Sequence, residues 1–182
     1  FIHDQPVFWL LIIGAHLLFF SGLTLLTRLN HVDWSYLKSS LFYIIPPALI
    51  GVFGLISLPT QWLVIFIYSI TLFYAVLWLL NIKLQSNKIW LDRFLLVTGG
   101  YVAGISLSGA PLMVAVFMRT VAARQLRNTM FVLWFTLVSI KLTTLSAFGF
   151  KLYVMDALIL IPVATIGHVI GLRVHDYILQ ND

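Results

Sequence analysis

Apolar residues dominate five stretches of the chain, each close to the length of a membrane-spanning helix. The stretches cover residues 7–26, 37–58, 62–82, 130–148 and 153–172, with short polar segments between most of them. A helix needs about 20 apolar residues to cross a hydrocarbon core of roughly 30 Å. The pattern therefore predicts an all-α polytopic membrane protein with about five spanning helices.

A sixth apolar stretch, residues 94–118, is interrupted by Ser, Gly and Pro at positions 106–111. Because glycine and proline disfavour a continuous helix, we expect two half-helices of about 10 to 14 residues each. At 1.5 Å per residue they would reach about 15 to 20 Å. A hairpin of two such helices would turn near the bilayer midplane.

The distribution of Lys and Arg among the loops distinguishes a hairpin from a sixth crossing. If residues 94–118 turn back, nine of the ten loop Lys and Arg residues share one side and only Lys151 lies opposite, whereas a crossing divides them six to four. Positive charge accumulates on the cytoplasmic side. We therefore predict a re-entrant hairpin in a multi-pass protein of the cell (inner) membrane, with the C-terminus in the cytoplasm.

Composition narrows the class of function. Hydrophobic residues make up 61% of the chain and charged residues 9%, whereas about a quarter of an ordinary soluble domain is charged. The net charge of +5 comes from Lys and Arg residues that lie almost entirely in the short gaps between apolar stretches, so a solvated basic surface for nucleic acid is excluded. With no Cys, scattered His and no P-loop, the sequence predicts no metal, no cofactor and no ATP-driven pump.

An internal repeat links the two halves of the chain. Residues 45–51 (IPPALIG) and 161–167 (IPVATIG) match at five of seven positions, 116 residues apart. With the hairpin re-entrant, the copies have opposite orientation, as in the inverted repeats of many secondary transporters. We divide the chain into a partial first repeat (1–58), a connecting helix with a cytoplasmic loop (59–92) and a second repeat (93–182). The first copy of the broken helix is expected before Phe1.

The hairpin tip carries the strongest candidates for substrate binding. Ser106 and Ser108 offer hydroxyls, and the break frees backbone N–H groups that suit an oxyanion. The alternative is a packing kink, in which the glycines of this stretch only let helices approach closely. Lys141 lies inside a predicted helix, where insertion costs roughly 2.5 to 3.5 kcal/mol. That cost favours a role in substrate binding, coupling or pairing, and snorkelling to the outer interface is the alternative.

Other polar residues mark the predicted helices. Thr129, Thr136 and Thr143 recur every seven residues, which predicts a polar stripe that faces away from lipid, either along the pathway or between helices. His16 and His168 are candidates for proton transfer or for helix–helix hydrogen bonds. No catalytic residue is predicted, and the predicted substrate-binding residues are Ser106, Ser108, Gly109, Ala110, Pro111, Thr129, Thr136 and Lys141.

These features resemble a known family. Residues 99–112 (GGYVAGISLSGAPL), followed by residues 127–129 (RNT), resemble the second-half signature of the sulfite exporter TauE/SafE family. Residues 30–34 (NHVDW), with the helix glycines Gly51 and Gly54, are similar to its first-half pattern, and Gly167 and Gly171 are similar to the second copy of that pattern. The chain departs from the family at 106–110, where the family usually has a Gly-rich run.

The resemblance implies a transporter of sulfite, sulfonates or related organic anions, coupled to an ion gradient. Its expected partners are a small anionic substrate, the lipid bilayer and, for a homo-oligomer, further copies of the chain. One alternative is a non-transporting membrane subunit or assembly factor. Another is an intramembrane serine protease that uses Ser108 and His168, although residue 106 is Ser where such proteases carry Gly.

Overall fold

A computed structural model describes residues 5–80, 88–106 and 109–181, and it is all α-helical apart from turns and short loops. Within those ranges there are seven α-helices, one 3-10 turn (Leu29–His31) and no β-strand. The helices are α1 Gln5–Arg28, α2 Trp34–Ser57, α3 Thr60–Leu79, α4 Ile89–Ile105, α5 Ala110–Thr120, α6 Ala123–Ala147 and α7 Val154–Asn181. The predicted all-α fold class is confirmed.

Four helices are long and apolar enough to cross a membrane. The qualifying segments are Phe8–Leu26, Trp34–Ser57, Ala123–Ala147 and Val154–Val174, which correspond to four of the five predicted spans. The fifth predicted span corresponds to α3, whose apolar segment Gln61–Leu77 is shorter. The chain therefore has the composition and the helix lengths of an all-α polytopic membrane protein.

Asp33 fixes the start of α2 and joins it to α6. Its carboxylate accepts a hydrogen bond from the Tyr36 N–H at 3.0 Å, which satisfies one of the free donors of the first helical turn. The Asp33 N–H donates to the Thr129 hydroxyl of α6 at 3.0 Å. The α1–α2 connection is thereby attached to the beginning of α6.

Helix directions follow from the residues that meet. Position 14 of α1 faces Leu142 of α6 and position 22 faces Phe135, so α1 and α6 run antiparallel. His16 of α1 meets Ala157 of α7 and Thr24 meets His168, so α1 and α7 run in the same direction.

Among the glycine contacts of the described residues, the closest lie in the seam between α2 and α4. A methyl group on Gly100 would lie 2.5 Å from the Ile44 carbonyl oxygen, and one on Gly104 would lie 2.8 Å from the Gly51 Cα. Contacts this short require glycine, because they bring the two backbones together without side chains between them. The earlier residue of α2, Ile44, meets the earlier glycine of α4, and the later residue, Gly51, meets the later glycine. The two helices therefore run parallel.

The repeat partners Gly51 and Gly167 have different surroundings. Gly51 is buried against α4, whereas a methyl group on Gly167 would meet no described atom within 4 Å. Buried residues make up 33% of the α2 span but 6% of the α7 span. In the described residues, the first copy of the repeated motif (residues 45–51) therefore forms the seam and the second copy (residues 161–167) does not. The internal duplication itself stays a prediction.

The seam generates a matched pair of substitutions on one helix. Gly51→Ala would place a methyl group against the Tyr101 carbonyl oxygen and 2.9 Å from the Gly104 Cα, whereas the methyl group of Gly54→Ala would meet Ile105 at an ordinary 3.7 Å. We expect Gly51→Ala to lower the free energy of unfolding by about 1 to 3 kcal/mol. Gly54→Ala should leave it unchanged or raise it by about 0.5 to 1 kcal/mol, because alanine favours the helix. Unfolding in mixed micelles by titration with sodium dodecyl sulfate measures both, and equal losses would contradict the close seam.

Candidate functional site

The predicted break in the sixth apolar stretch is present, and the two half-helices form an antiparallel hairpin. α4 ends at Ile105 and α5 begins five residues later. Next to the turn, Gly109 packs against Ala103, where even a methyl group on Gly109 would clash. At the open end of the hairpin, Arg119 of α5 forms an ion pair with Asp92 of α4. The chain therefore returns at the end of α5 to the end of the bundle from which α4 starts.

α4 is longer than the predicted half-helix. It begins at Ile89 rather than at residue 94 and has 17 residues, whereas α5 has 11. Asp92 lies in the first turn of α4, where a negative charge is favourable next to the positive end of the helix dipole. The helix thus extends past its apolar part, and at 1.5 Å per residue the two arms are about 25 and 16 Å long.

Lys141 of α6 lies at the tip of this hairpin. Its side chain is 3% exposed, and its Nζ donates a hydrogen bond to the backbone carbonyl oxygen of Ser106 at 2.8 Å. Ser106 is the residue that terminates α4, where the last carbonyls of a helix have no partner in the helix and form its negative end. The ammonium group therefore satisfies the broken backbone and does not snorkel to the outer interface.

The predicted tip residues have distinct surroundings. The Ser106 hydroxyl is buried and donates to the Val102 carbonyl oxygen at 3.0 Å, so its proton is bound within α4. Gly109 is buried at the turn, Ala110 is half-buried and Pro111 is exposed. Ser108 lies outside the described residues. No described side chain caps the N-terminus of α5.

The threonines of α6 do not form one site. Thr129 is fully buried, accepts from the Asp33 N–H and donates to the Gln125 carbonyl oxygen at 2.8 Å. It lies twelve residues before Lys141, or about 18 Å along the helix. Thr136 is half-buried and donates to its own helix, and Thr143 is exposed. Seven residues fall short of two full turns by about 20°, so the stripe rotates along α6, and Thr143 lies outside the buried face of the helix.

The histidines of the two candidate spans in α1 and α7 link these helices. The His16 Nε2 lies 2.8 Å from the Ala157 carbonyl oxygen. The His168 Nε2 lies 3.3 Å from the Thr24 hydroxyl, and the His168 ring stacks on Phe20 with centroids 4.6 Å apart. Both histidines therefore make helix–helix contacts, which the sequence offered as the alternative to proton transfer. The contacts of His168 direct its ring toward α1. A role in proton transfer stays a prediction.

Sequence reasoning missed Tyr74 of α3. Its hydroxyl is buried beside the Leu112 backbone, at the first turn of α5, without a well-aligned hydrogen-bond partner among the described residues. A tyrosine in the middle of an apolar run was the available signal, since a buried phenol needs a polar partner. Tyr74 therefore adds a polar group at the uncapped end of α5.

Asn128 is a second residue whose environment the sequence did not reveal. It is 3% exposed, and its Oδ1 has no hydrogen-bond partner among the described residues. Asn128 precedes Thr129 near the start of α6 and is therefore far from Lys141. In the described ranges, no group of three or more His, Cys, Asp or Glu residues is arranged to hold a metal ion.

Comparison with protein-family models, with curated proteins and with solved structures finds no match to this chain. The resemblance to the TauE/SafE family therefore stays a prediction from the sequence.

The hairpin geometry predicts which loops share a side of the membrane. The chain has no native cysteine, so a single introduced thiol reports one position. Lys88→Cys precedes α4 and Arg124→Cys follows α5, and we expect a membrane-impermeant maleimide to label both from the same side. Lys151→Cys, in the α6–α7 loop, should be labelled from the opposite side. Labelling of positions 88 and 124 from opposite sides would mean that the sixth stretch crosses the membrane.

Proposed function

We propose that the protein is a secondary transporter of small anions that works by alternating access, with the α4–α5 break as half of its substrate site. The observation that carries the proposal is the buried Lys141 ammonium group at the hairpin tip, 2.8 Å from the Ser106 carbonyl oxygen. A lysine buried among apolar helices is costly unless it has a partner or a function.

The tip has the chemistry of an anion site. Lysine has three N–H donors, and Ser106 is the one acceptor that the described residues provide for Lys141. The remaining donors are therefore available to an oxyanion. The positive end of α5 starts at the same break, lacks a side-chain cap and favours a negative group.

The substrate class is sulfite, sulfonate or a related organic anion. These oxyanions spread a negative charge over several oxygens, which matches an ammonium group combined with backbone N–H donors. The sequence resemblance to the TauE/SafE family implies the same class. In this proposal the TauE/SafE-like residues 99–112 provide the hairpin, and Tyr74 adds a hydroxyl next to it.

Charge at one end of the bundle supports the proposed orientation. The contacts between α1, α2, α4, α5, α6 and α7 bring most of the loop cations to the end where α4 begins and α5 ends. These cations are Lys38, Lys88, Arg93, Arg119, Arg124, Arg127 and Arg173, whereas Lys151 lies at the other end. By the positive-inside rule, the basic end and the C-terminus face the cytoplasm of a multi-pass protein in the cell (inner) membrane.

Helix packing supports an inverted repeat as the basis of alternating access. A shift of 116 residues relates α1 to α6 and α2 to α7. The shift therefore pairs the contact of α1 with α7 and the contact of α6 with α2, and both contacts are present. The repeat partners α1 and α6 also contact each other, and they run antiparallel. Rocking of one repeat against the other would expose the break to each side in turn.

Flux into proteoliposomes containing the product of the complete gene tests the proposal. Sulfite and sulfonates should enter saturably, with a dependence on an imposed proton or other ion gradient. Lys141→Met should lower kcat/KM by about tenfold to a hundredfold, the effect expected for loss of a hydrogen bond to a charged group. Ser106→Ala keeps the backbone carbonyl and should retain most of the flux. Lys151→Met is the control for loss of an exposed cation.

Two results would count against the proposal. Full flux in Lys141→Met would remove the hairpin tip as the substrate site. If a folded, inserted protein moved no tested anion, the transporter function would fail and the non-transporting membrane subunit would replace it.

A further inference from the structure

A cavity of about 310 Å³ with both polar and apolar lining residues lies between α2 and the open end of the α4–α5 hairpin. It is distant from the tip, because its walls include Asp92 and Arg93 from the start of α4 and Thr120 from the end of α5. The remaining lining residues are Tyr36, Ser39, Ser40, Tyr43, Ile89 and Leu96. The cavity is thus at the basic end of the bundle, at the level where membrane-spanning helices would emerge into water.

Arg93 supplies a positive charge to this cavity. Its guanidinium carbon lies 5.4 Å from the centre of the Tyr43 ring, within cation–π distance. The carboxylate in the lining, Asp92, is engaged in the ion pair with Arg119. Among the described residues Arg93 therefore has an aromatic partner and forms no ion pair, and the one carboxylate in the cavity lining is paired with Arg119.

The rest of the lining is divided between polar and apolar groups. Ser39 and Ser40 donate to the Tyr36 carbonyl oxygen at 2.8 Å, whereas the hydroxyls of Tyr36 and Tyr43 donate to no described residue. Ile89 and Leu96 provide apolar surface along α4. A ligand with an anionic group and an adjoining apolar part would match both kinds of surface.

We propose that this cavity binds a phosphate group through the Arg93 guanidinium. The planar fork of arginine matches two oxygens of a phosphate, and basic pockets between membrane helices on the cytoplasmic side are suited to phospholipid head groups. The phosphate belongs either to a lipid head group or to a free phosphate ion. The site does not depend on the transport proposal, because it is separate from Lys141 and requires no flux.

Native mass spectrometry of the complete gene product in detergent tests the lipid arm. Phosphatidylglycerol is the probe, and diacylglycerol with the same acyl chains is the matched lipid without phosphate. We expect phosphatidylglycerol to bind at least tenfold more tightly than diacylglycerol. Arg93→Gln should weaken phosphatidylglycerol binding about tenfold, a loss of about 1.4 kcal/mol. Arg124→Gln, which removes an exposed cation from the same end but outside the cavity lining, should retain wild-type binding.

The second arm tests inorganic phosphate without lipid. Phosphate is titrated into the protein, chloride at equal ionic strength is the control, and thermal stabilisation of the protein is the readout. Arg93-dependent binding of phosphatidylglycerol alone identifies a head-group site, and Arg93-dependent binding of inorganic phosphate identifies a free-ion site. Two further variants guard against misfolding: Arg93→Lys should retain part of the binding, and Ser39→Phe should block it with Arg93 intact. Equal binding by wild type and Arg93→Gln in both arms, or no binding in either, would overturn the proposal.

Discussion

The broken helix leaves backbone carbonyls at the end of α4 that need a donor, and the Lys141 ammonium group is that donor. The hydrogen bond from Lys141 Nζ to the Ser106 carbonyl oxygen joins α6 to the end of α4 at 2.8 Å. In a lipid environment an unsatisfied backbone group costs several kcal/mol, and a lone buried cation is also unfavourable. Each group therefore offsets the cost of the other, and the hairpin tip becomes the polar centre of an otherwise apolar fold.

The glycine seam and the ion pair hold this tip in position. Gly100 and Gly104 allow α4 to contact the α2 backbone directly, so the break cannot move away from α2 without opening this glycine seam. Asp92 and Arg119 close the other end of the hairpin. α6 begins three residues after α5 ends and runs past the hairpin far enough for Lys141 to reach the tip. The site thus depends on packing and charge at positions far from it.

Residue types and their spacing were sufficient to predict the helices and the break, because apolar length, glycine and proline act locally. They also identified Lys141 as exceptional. They did not identify its partner, because Ser106 contributes a backbone carbonyl whose availability depends on where α4 ends. Seven-residue spacing grouped Thr143 with Thr129, although the helix rotates between them. Tyr74 was missed because its proximity to the Leu112 backbone joins two segments that are far apart in the sequence. Contacts between distant segments therefore limit what the sequence alone predicts about the site.

The most direct test of the central claim observes the Lys141 ammonium group itself. The chain has five lysines, Lys38, Lys83, Lys88, Lys141 and Lys151, so solid-state NMR of protein labelled with ¹⁵N at lysine Nζ gives a spectrum simple enough to assign with Lys141→Arg. In lipid bilayers, sulfite should shift the Lys141 signal saturably and leave the Lys151 signal in place. A Lys141 signal that does not respond to sulfite, in protein that is folded and inserted, would contradict an anion site at the hairpin tip.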